Sequence, residues 1–499
     1  MKLPKSFYSW TTAIGAAIAT ISGILFIFLL IVTFIFGEGS GYTGIVIYII
    51  LPVFVILGGL MIPIGIVTKA RKDRRSEVVR EVKFPIANFN DPKQRNIFFL
   101  FTTGTIILLM LVGLGTYEGF HYTETTTFCG TQCHSVMEPE YVAYQHSSHA
   151  RVACVDCHIG GGASWTVKSK LSGLYQVYSV TFNKYKKPIE TPIHNLRPAR
   201  ETCEECHWPE KFYSRQLVLE KHYLADEVNT EWDINLQMKT GPEHSGFGLT
   251  EGIHWHINPD IKVEYISTDP KREQITWIRY TNNETGEETI FQEEGLNYTP
   301  EQFDTLEVRT MDCLDCHNRP SHNYKSPMTF INTAISAGII PQDLPEIKML
   351  ALEIMGGEYP TKDSALLYIE TYVDDYYKSS HPDIYNENKS LVEMAVNGLK
   401  SEFSKNIFPE MNVNWKAYPN HIGHLEFNGC FRCHNEQHSD QNGKTISMDC
   451  DLCHTIVGQG VPDTLQVARY NESLEFVHPN DPDQYWKEML CVDCHSGLY

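Results

Sequence analysis

All fourteen cysteines of this chain fall into seven pairs, and a histidine follows the second cysteine of every pair. Six pairs have the form C-x-x-C-H: Cys154-Val-Asp-Cys157-His158, Cys203-Glu-Glu-Cys206-His207, Cys313-Leu-Asp-Cys316-His317, Cys430-Phe-Arg-Cys433-His434, Cys450-Asp-Leu-Cys453-His454 and Cys491-Val-Asp-Cys494-His495. The seventh, Cys129-Gly-Thr-Gln-Cys133-His134, has one extra residue between its cysteines. Two thiols on one turn of chain can add across the two vinyl groups of one haem. The next residue then projects its imidazole at the iron, so a few residues supply both attachment and an axial ligand. Tetrahedral zinc consumes such pairs two at a time, and seven is odd. Disulfides suit an oxidising compartment but explain neither the spacing nor the histidines. The pattern predicts seven covalently bound haems c.

Of the 21 histidines, seven lie inside the motifs, which leaves 14, enough to give every iron a second imidazole. Filling both axial positions suits electron transfer rather than substrate binding. Distal-ligand candidates close to motifs are His149, His322, His424 and His438; candidates further away are His194, His222, His254, His256 and His478.

Three uncharged apolar runs, Trp10 to Phe36, Tyr42 to Thr68 and Ile97 to Tyr117, each reach the length a membrane-spanning helix needs. The first is too long for a signal-peptide core. Residues 69–96 carry nine Lys/Arg against four acids, and the N-terminus carries Lys2 and Lys5 without an acid, so the positive-inside rule places both in the cytoplasm. The large region after the third run is then periplasmic. Haem c maturation occurs outside the cytoplasmic membrane, and that agrees with a topology derived from other residues. Residues 1–96 hold eleven basic and five acidic residues, a balance of +6, so the rest of the chain carries −26 of the net −20. Such an acidic exterior favours basic partners and argues against nucleic acid.

These features predict a mainly α multihaem c-type cytochrome with three N-terminal transmembrane helices and a small β-rich insert. The expected divisions are a membrane anchor at 1–120, a three-haem region at 121–210, the β-rich insert at 211–312, and a four-haem region with a helical insert at 313–499. Strand signals in the β-rich part are Val263 to Ser267, Ile275 to Tyr280 and Glu288 to Phe291, with a turn at Asn282 to Gly286. Gly252-Ile-His254-Trp-His256 reads as an extended segment with two histidines on one face. Helical spacing appears at Ile347, Leu350, Ala351 and Ile354, stopping at Gly356-Gly357, and again at Leu366, Ile369, Val373 and Tyr376. There is no Walker loop, dinucleotide fingerprint or nucleophile elbow.

The segment Cys133-His134-Ser-Val-Met137-Glu-Pro139-Glu-Tyr141, followed by Ser148-His149 and Cys154-Val-Asp-Cys157-His158, resembles the start of the NapC/NirT family, membrane-anchored multihaem cytochromes that oxidise quinol. Seven motifs behind three spans resemble the ImcH-type inner-membrane cytochromes, which pass quinol electrons towards periplasmic and extracellular acceptors. The resemblance implies Met137 as a candidate axial ligand of the first haem. Here Met137 follows His134 by three residues rather than the family's two, so His134, Met137 or both could serve that iron. It also implies a quinol site beside the first haem, for which Lys168, Lys170, Arg151 and Asp156 are the candidates. Quinol oxidation releases two protons, so some group must accept them. The lysines could instead face lipid phosphates.

Three functions follow. The leading one is a quinol dehydrogenase that draws on the membrane quinol pool and relays electrons through seven haems to a periplasmic cytochrome or reductase. The second is a terminal reductase of nitrite, hydroxylamine or a sulfur compound, which needs one open iron and basic residues around it. The third is an anchor that only docks a separate catalytic protein. The histidine supply and the negative charge favour the first.

Overall fold

The computed structural model describes residues 7–36, 47, 50–75, 88–132, 134–161, 163–191, 197–207, 215–241, 252–296, 298–303, 305–470 and 472–497. The chain forms two compact units, one of Met1–Gln132 with Ala153–Gln176, the other of Cys133–Val152 with Val177–Tyr499.

The first unit contains α1 (Trp10–Phe36), α2 (Leu51–Arg75) and α3 (Pro92–Tyr122), all long and apolar enough to cross a membrane. The second apolar run begins outside the described residues. Its helix continues past Thr68 into the basic segment, where Lys69 pairs with Asp73 at 3.0 Å. α3 starts where Asp91 caps it, its carboxylate accepting from Lys93 N at 2.9 Å, with Pro92 in the first turn. α1 and α2 approach closely through small residues. A Cβ on Gly58 would stand 2.6 Å from the Ala19 backbone nitrogen, and one on Gly15 at 2.6 Å from Met61 Cβ. Close backbone approach of this kind is how helices associate where lipid removes the hydrophobic drive. No described residue of α3 is buried, and Leu100 and Phe101 are more than 70% exposed (77% and 73%), a surface suited to lipid.

The second unit begins with α4 (His134–Gln145). α5 (Ala163–Thr181) runs from the first unit into the second and keeps Val167, Leu171, Leu174 and Tyr178 exposed at helical spacing. Two antiparallel sheets follow. One has the order β1 (Arg215–Tyr223), β2 (Glu231–Lys239), β8 (His454–Gly460), β9 (Gln466–Val467). The other has the order β6 (Arg309–Thr310), β3 (Ile261–Ser267), β4 (Ile275–Asn282), β5 (Glu288–Glu293), β7 (His438–Ser439). The expected strands fall within β3, β4 and β5, and the turn at 282–286 links β4 to β5. The hairpin β1–β2 had no counterpart among the sequence expectations. Both sheets also take strands from the C-terminal region, so the strand-rich stretch does not close on itself. An isolated hairpin is marginal in water, and β8 supplies the third strand beside β2.

The helical part comprises α6 (Pro327–Ser336), α7 (Ile347–Gly356), α8 (Lys362–Ser380) and α9 (Lys389–Asn406). Ser326 and Thr361 cap α6 and α8 through their side chains. Together the four helices bury the largest apolar cluster, including Phe330, Leu350, Ile369, Leu399 and Phe403. On α8 the fully buried stripe is Ala365, Ile369, Val373 and Tyr377; Leu366 and Tyr376 flank it, half-buried.

Candidate functional site

The haem motifs are held in short turns that begin at or near the first cysteine. One-turn helices span Cys154–His158, Cys313–Cys316 and Cys491–His495. In each, the aspartate between the cysteines folds back on the preceding backbone. Asp156 accepts from Ala153 N at 3.1 Å, Asp315 from Asp312 N at 2.7 Å and Asp493 from Leu490 N at 3.0 Å. The repeated cap explains the motif aspartate and gives Asp156 a local partner. Asp315 is fully buried and also accepts from Tyr265 Oη at 2.6 Å, Arg309 Nε at 2.6 Å and Arg272 Nη1 at 3.1 Å. Arg432, between the cysteines of the fifth motif, donates to the Asp315 carbonyl at 2.7 Å and so ties the fourth and fifth motifs together.

The motifs are also near neighbours in chain order. Cys129 lies beside Cys154, and Cys203 beside Cys313. Cys316 lies within electrostatic reach of Cys430, Cys430 of Cys453, and Cys450 of Cys491. Motifs three to seven therefore form a row within the second unit.

Five motif histidines face a second imidazole. Ring centres are 6.0 Å apart for His207 and His149, 6.2 Å for His317 and His254, and 5.9 Å for His434 and His256. They are 6.2 Å apart for His454 and His424, and 5.8 Å for His495 and His478. A metal–imidazole bond is about 2 Å long and the ring centre lies about 1 Å behind the nitrogen, so two rings facing one iron sit about 6 Å apart. The donor set thus fits haem c, with one ring from the motif and one from elsewhere.

Backbone carbonyls orient several of these rings by their Nδ1. His254 meets Thr240 O at 2.6 Å, His256 meets Ile253 O at 2.8 Å, His434 meets Ser447 O at 2.9 Å and His149 meets Pro320 O at 3.2 Å. Such contacts fix the tautomer and aim Nε2 at the metal. Burial pushes His254, His256, His317, His434, His454 and His495 below the ordinary histidine range, and His424 down to about 4. The neutral imidazole is the ligating form.

The segment carrying His254 and His256 differs from expectation. It is a 3₁₀ turn, Ile253–Ile257, rather than extended chain. Neighbours two apart then diverge instead of sharing a face, and the two rings serve two different motifs. Gly252 enters the turn at φ +127°, where a Cβ would lie 2.1 Å from Gly241 O.

Other candidates have different settings. His438 is fully buried with Nδ1 at 3.1 Å from Asn435 Oδ1 and Nε2 at 2.7 Å from Ile275 O, so both nitrogens are committed within the second sheet. His322 Nδ1 meets the Glu140 carbonyl and carboxylate, each at 3.0 Å. His222 Nδ1 meets Asn332 Nδ2 at 3.3 Å. Met137 is half-buried on α4, and His158 ends its one-turn helix. His194, Cys133 and the His134 side chain lie outside what is described.

Among the quinol-site candidates, Lys170 alone joins a polar cluster. Its Nζ is 3.5 Å from Thr123 Oγ1 and 4.7 Å from the Phe120 ring centre, at the exit of α3. Glu124 belongs to this cluster, and its Oε1 is buried without a hydrogen-bond partner, as is His121 Nε2. Burial pushes the Glu124 carboxyl above its ordinary value, while Lys170 and His121 oppose the rise. Cys129 of the first motif lies in the field of both Lys170 and Glu124. Lys168 instead lies over the Trp165 ring at 4.5 Å, and Arg151 is exposed in the second unit. Sequence reading passed over Glu124; the signal was His121 and Glu124 closing an apolar helix five residues before Cys129.

Residues 91–198 match the model of the NapC/NirT cytochrome c family, N-terminal region. The chain is similar to the cytochrome c-type protein ImcH of Geobacter sulfurreducens, with 41% identity over 98% of this chain and 96% of that protein. It is similar to the cytochrome c-type protein NrfH of Wolinella succinogenes, with 27% identity over 22% of this chain and 66% of that protein. It also resembles the cytochrome c-type protein TorC of Escherichia coli K12, with 35% identity over 38% of this chain and 48% of that protein. No solved structure matches.

Proposed function

The chain belongs to the NapC/NirT cytochrome c family, and we propose that it oxidises menaquinol or ubiquinol at the periplasmic membrane face and relays the electrons through seven haems c to a periplasmic cytochrome or reductase. The observation that carries this reading is the set of five imidazole pairs at one-iron separation, on motifs that neighbour one another in order. Haem c supplies reversible one-electron chemistry when bound. Two imidazoles per iron leave no place for a substrate, so these sites suit transfer. The terminal-reductase reading needs an open iron, and none of these five motifs offers one.

The chain's own residues do the rest. Carbonyls hold Nδ1 protons, burial keeps the rings neutral, and the Asp315–Arg432 contact keeps two motifs in register. At the first motif a quinol gives up two electrons and two protons and becomes quinone. Lys170 offers positive charge to a ring oxygen there, with Lys168 beside the membrane surface; Asp156 has its cap, and Arg151 lies in the other unit. Met137 remains a ligand candidate for the first motif and His322 a distal-ligand candidate, while both ring nitrogens of His438 are engaged by Asn435 and Ile275. The basic loop at 69–96 faces the cytoplasm, and the haem-bearing part lies in the periplasm. Its acidic surface selects a basic redox partner, with an association rate that falls as salt rises.

The test is anaerobic mixing of detergent-purified protein with a menaquinol analogue while haem absorbance is followed. Rapid reduction of several haems, slowed in Lys170→Gln, supports the reading. A protein that dithionite reduces and quinol does not would refute it.

A further inference from the structure

The relay accounts for the motifs but not for the polar cluster where α3 ends. Glu124 Oε1 and His121 Nε2 are each buried without a hydrogen-bond partner, on the side of the unit that carries Lys170 and Cys129. An unsatisfied buried carboxylate oxygen costs free energy, and natural folds keep such atoms where a ligand meets them. The adjoining groups are a lysine ammonium, the Phe120 ring and the Thr123 hydroxyl. An aromatic face, a cation and a carboxylate together suit a flat ring with two hydroxyl groups.

We propose that Glu124 is the catalytic base of quinol oxidation, its Oε1 taking the proton from the ring hydroxyl nearest the first haem, with His121 passing that proton on. This rests on the quinol reading given above. The quinol O–H bond breaks and its proton joins Glu124, while a ferric haem c attached at the first motif would supply the one-electron acceptor. Glu124 then releases its proton through His121, and a second cycle takes the second proton and electron to leave quinone. Each turnover thus releases two protons and two electrons, and haem c bound at the motifs would take the electrons one at a time.

The other titratable groups nearby are less suited. Asp156 spends an oxygen on Ala153 N. Glu118 is exposed on α3. Tyr117 stacks edge-on with His121 at 4.5 Å. The groups that would set the pH dependence are thus Glu124, His121 and Lys170, with Glu118 and Tyr117 near by on α3. Burial raises the Glu124 carboxyl, and a base works best when its pKa approaches the operating pH.

The experiment uses the full haem-loaded protein in detergent, with Glu124→Gln and Glu124→Asp compared to wild type. Two readouts are needed: binding of a hydroxyquinoline N-oxide quinol analogue by fluorescence titration, and the pH profile of haem reduction by menaquinol analogue. In Glu124→Gln the reduction rate falls about a hundredfold and no longer rises with pH, while inhibitor affinity changes little. Glu124→Asp recovers part of the rate and keeps the rise, and it carries the test alone if the glutamine variant loses haem. A glutamine variant that matches wild type in rate and pH profile overturns the inference and leaves the quinol reading standing. A changed resting haem spectrum in that variant overturns it too, because Glu124 would then be acting on the iron. If wild type itself is not reduced by quinol, both readings fall.

Discussion

The helical part at 327–406 and the motif-bearing turns of the second unit are built by opposite means. In α6 to α9, Phe330, Ile331, Leu350, Ile369, Val373, Leu399 and Phe403 are all essentially inaccessible, and capped helices carry them at regular spacing. The motif turns are one helical turn or less, and the polar side chains they bury are the Asp315 carboxylate and the Arg432 guanidinium. The helices contain none of the ten paired histidines. One region is thus stabilised by its own apolar burial. The other is held by hydrogen-bonded charged groups such as Asp315, Arg309 and Arg432.

That contrast can be broken from either side. The largest effect is expected at Asp315. Asp315→Ala strands Arg272 and Arg309 beside a buried gap, for a loss of about 3 to 5 kcal/mol. Thermal unfolding should show it, together with a shift in the fourth and fifth haem signals. Leu350→Ala removes a fully buried side chain from the helical part and costs about 3 kcal/mol, with haem spectra unchanged. A spectral change in that variant would show that the two regions are not independently stabilised.

Lys348 sharpens the comparison, because it is a fully buried charge inside the apolar region. Its ammonium contacts Asn332 Oδ1 at 2.6 Å and Met328 O at 3.3 Å, and burial pushes it down to about 7. The unfolded chain keeps that proton to higher pH, so the unfolded state binds more protons above about 7, and stability rises with pH from there towards the ordinary lysine value. Lys348→Met should remove that slope and raise stability at neutral pH. Denaturant titrations at pH 6.5 and 9 measure both effects. The smallest expected effect is His254→Ala, which should turn one haem high-spin and leave the stability of the helical part unchanged. Visible and resonance Raman spectra check it.

Much of the apolar region was legible in the sequence. Ile347 to Ile354 mark α7 correctly, because helical period and a Gly-Gly stop act locally. The stripe of α8 was displaced by one residue, since Leu366 and Tyr376 are as apolar as the Ala365 and Tyr377 that face inward. β2 alternates Trp232, Ile234, Leu236 and Met238, a signal that was present and unread. Its partner β8 lies far along the chain, and no local pattern could announce the pairing.

At the motifs, the seven cysteine pairs with their histidines are legible in the sequence, whereas which imidazoles face one another is not. His438 sits close to His434 in sequence, but its nitrogens are taken by Asn435 and Ile275. His424 precedes the fifth motif yet faces His454 of the sixth, and His149 precedes the second yet faces His207 of the third. Proximity in sequence does not predict these pairs because the facing imidazole comes from whichever element packs over the motif. Only the fold decides that.

The central claim is that at least five irons carry two imidazoles. Near-infrared magnetic circular dichroism of the oxidised protein, calibrated by pyridine haemochrome, tests it most directly. The account predicts seven haems per chain, with low-spin bis-histidine bands from five or more of them. Predominantly high-spin or histidine–methionine signals would contradict it.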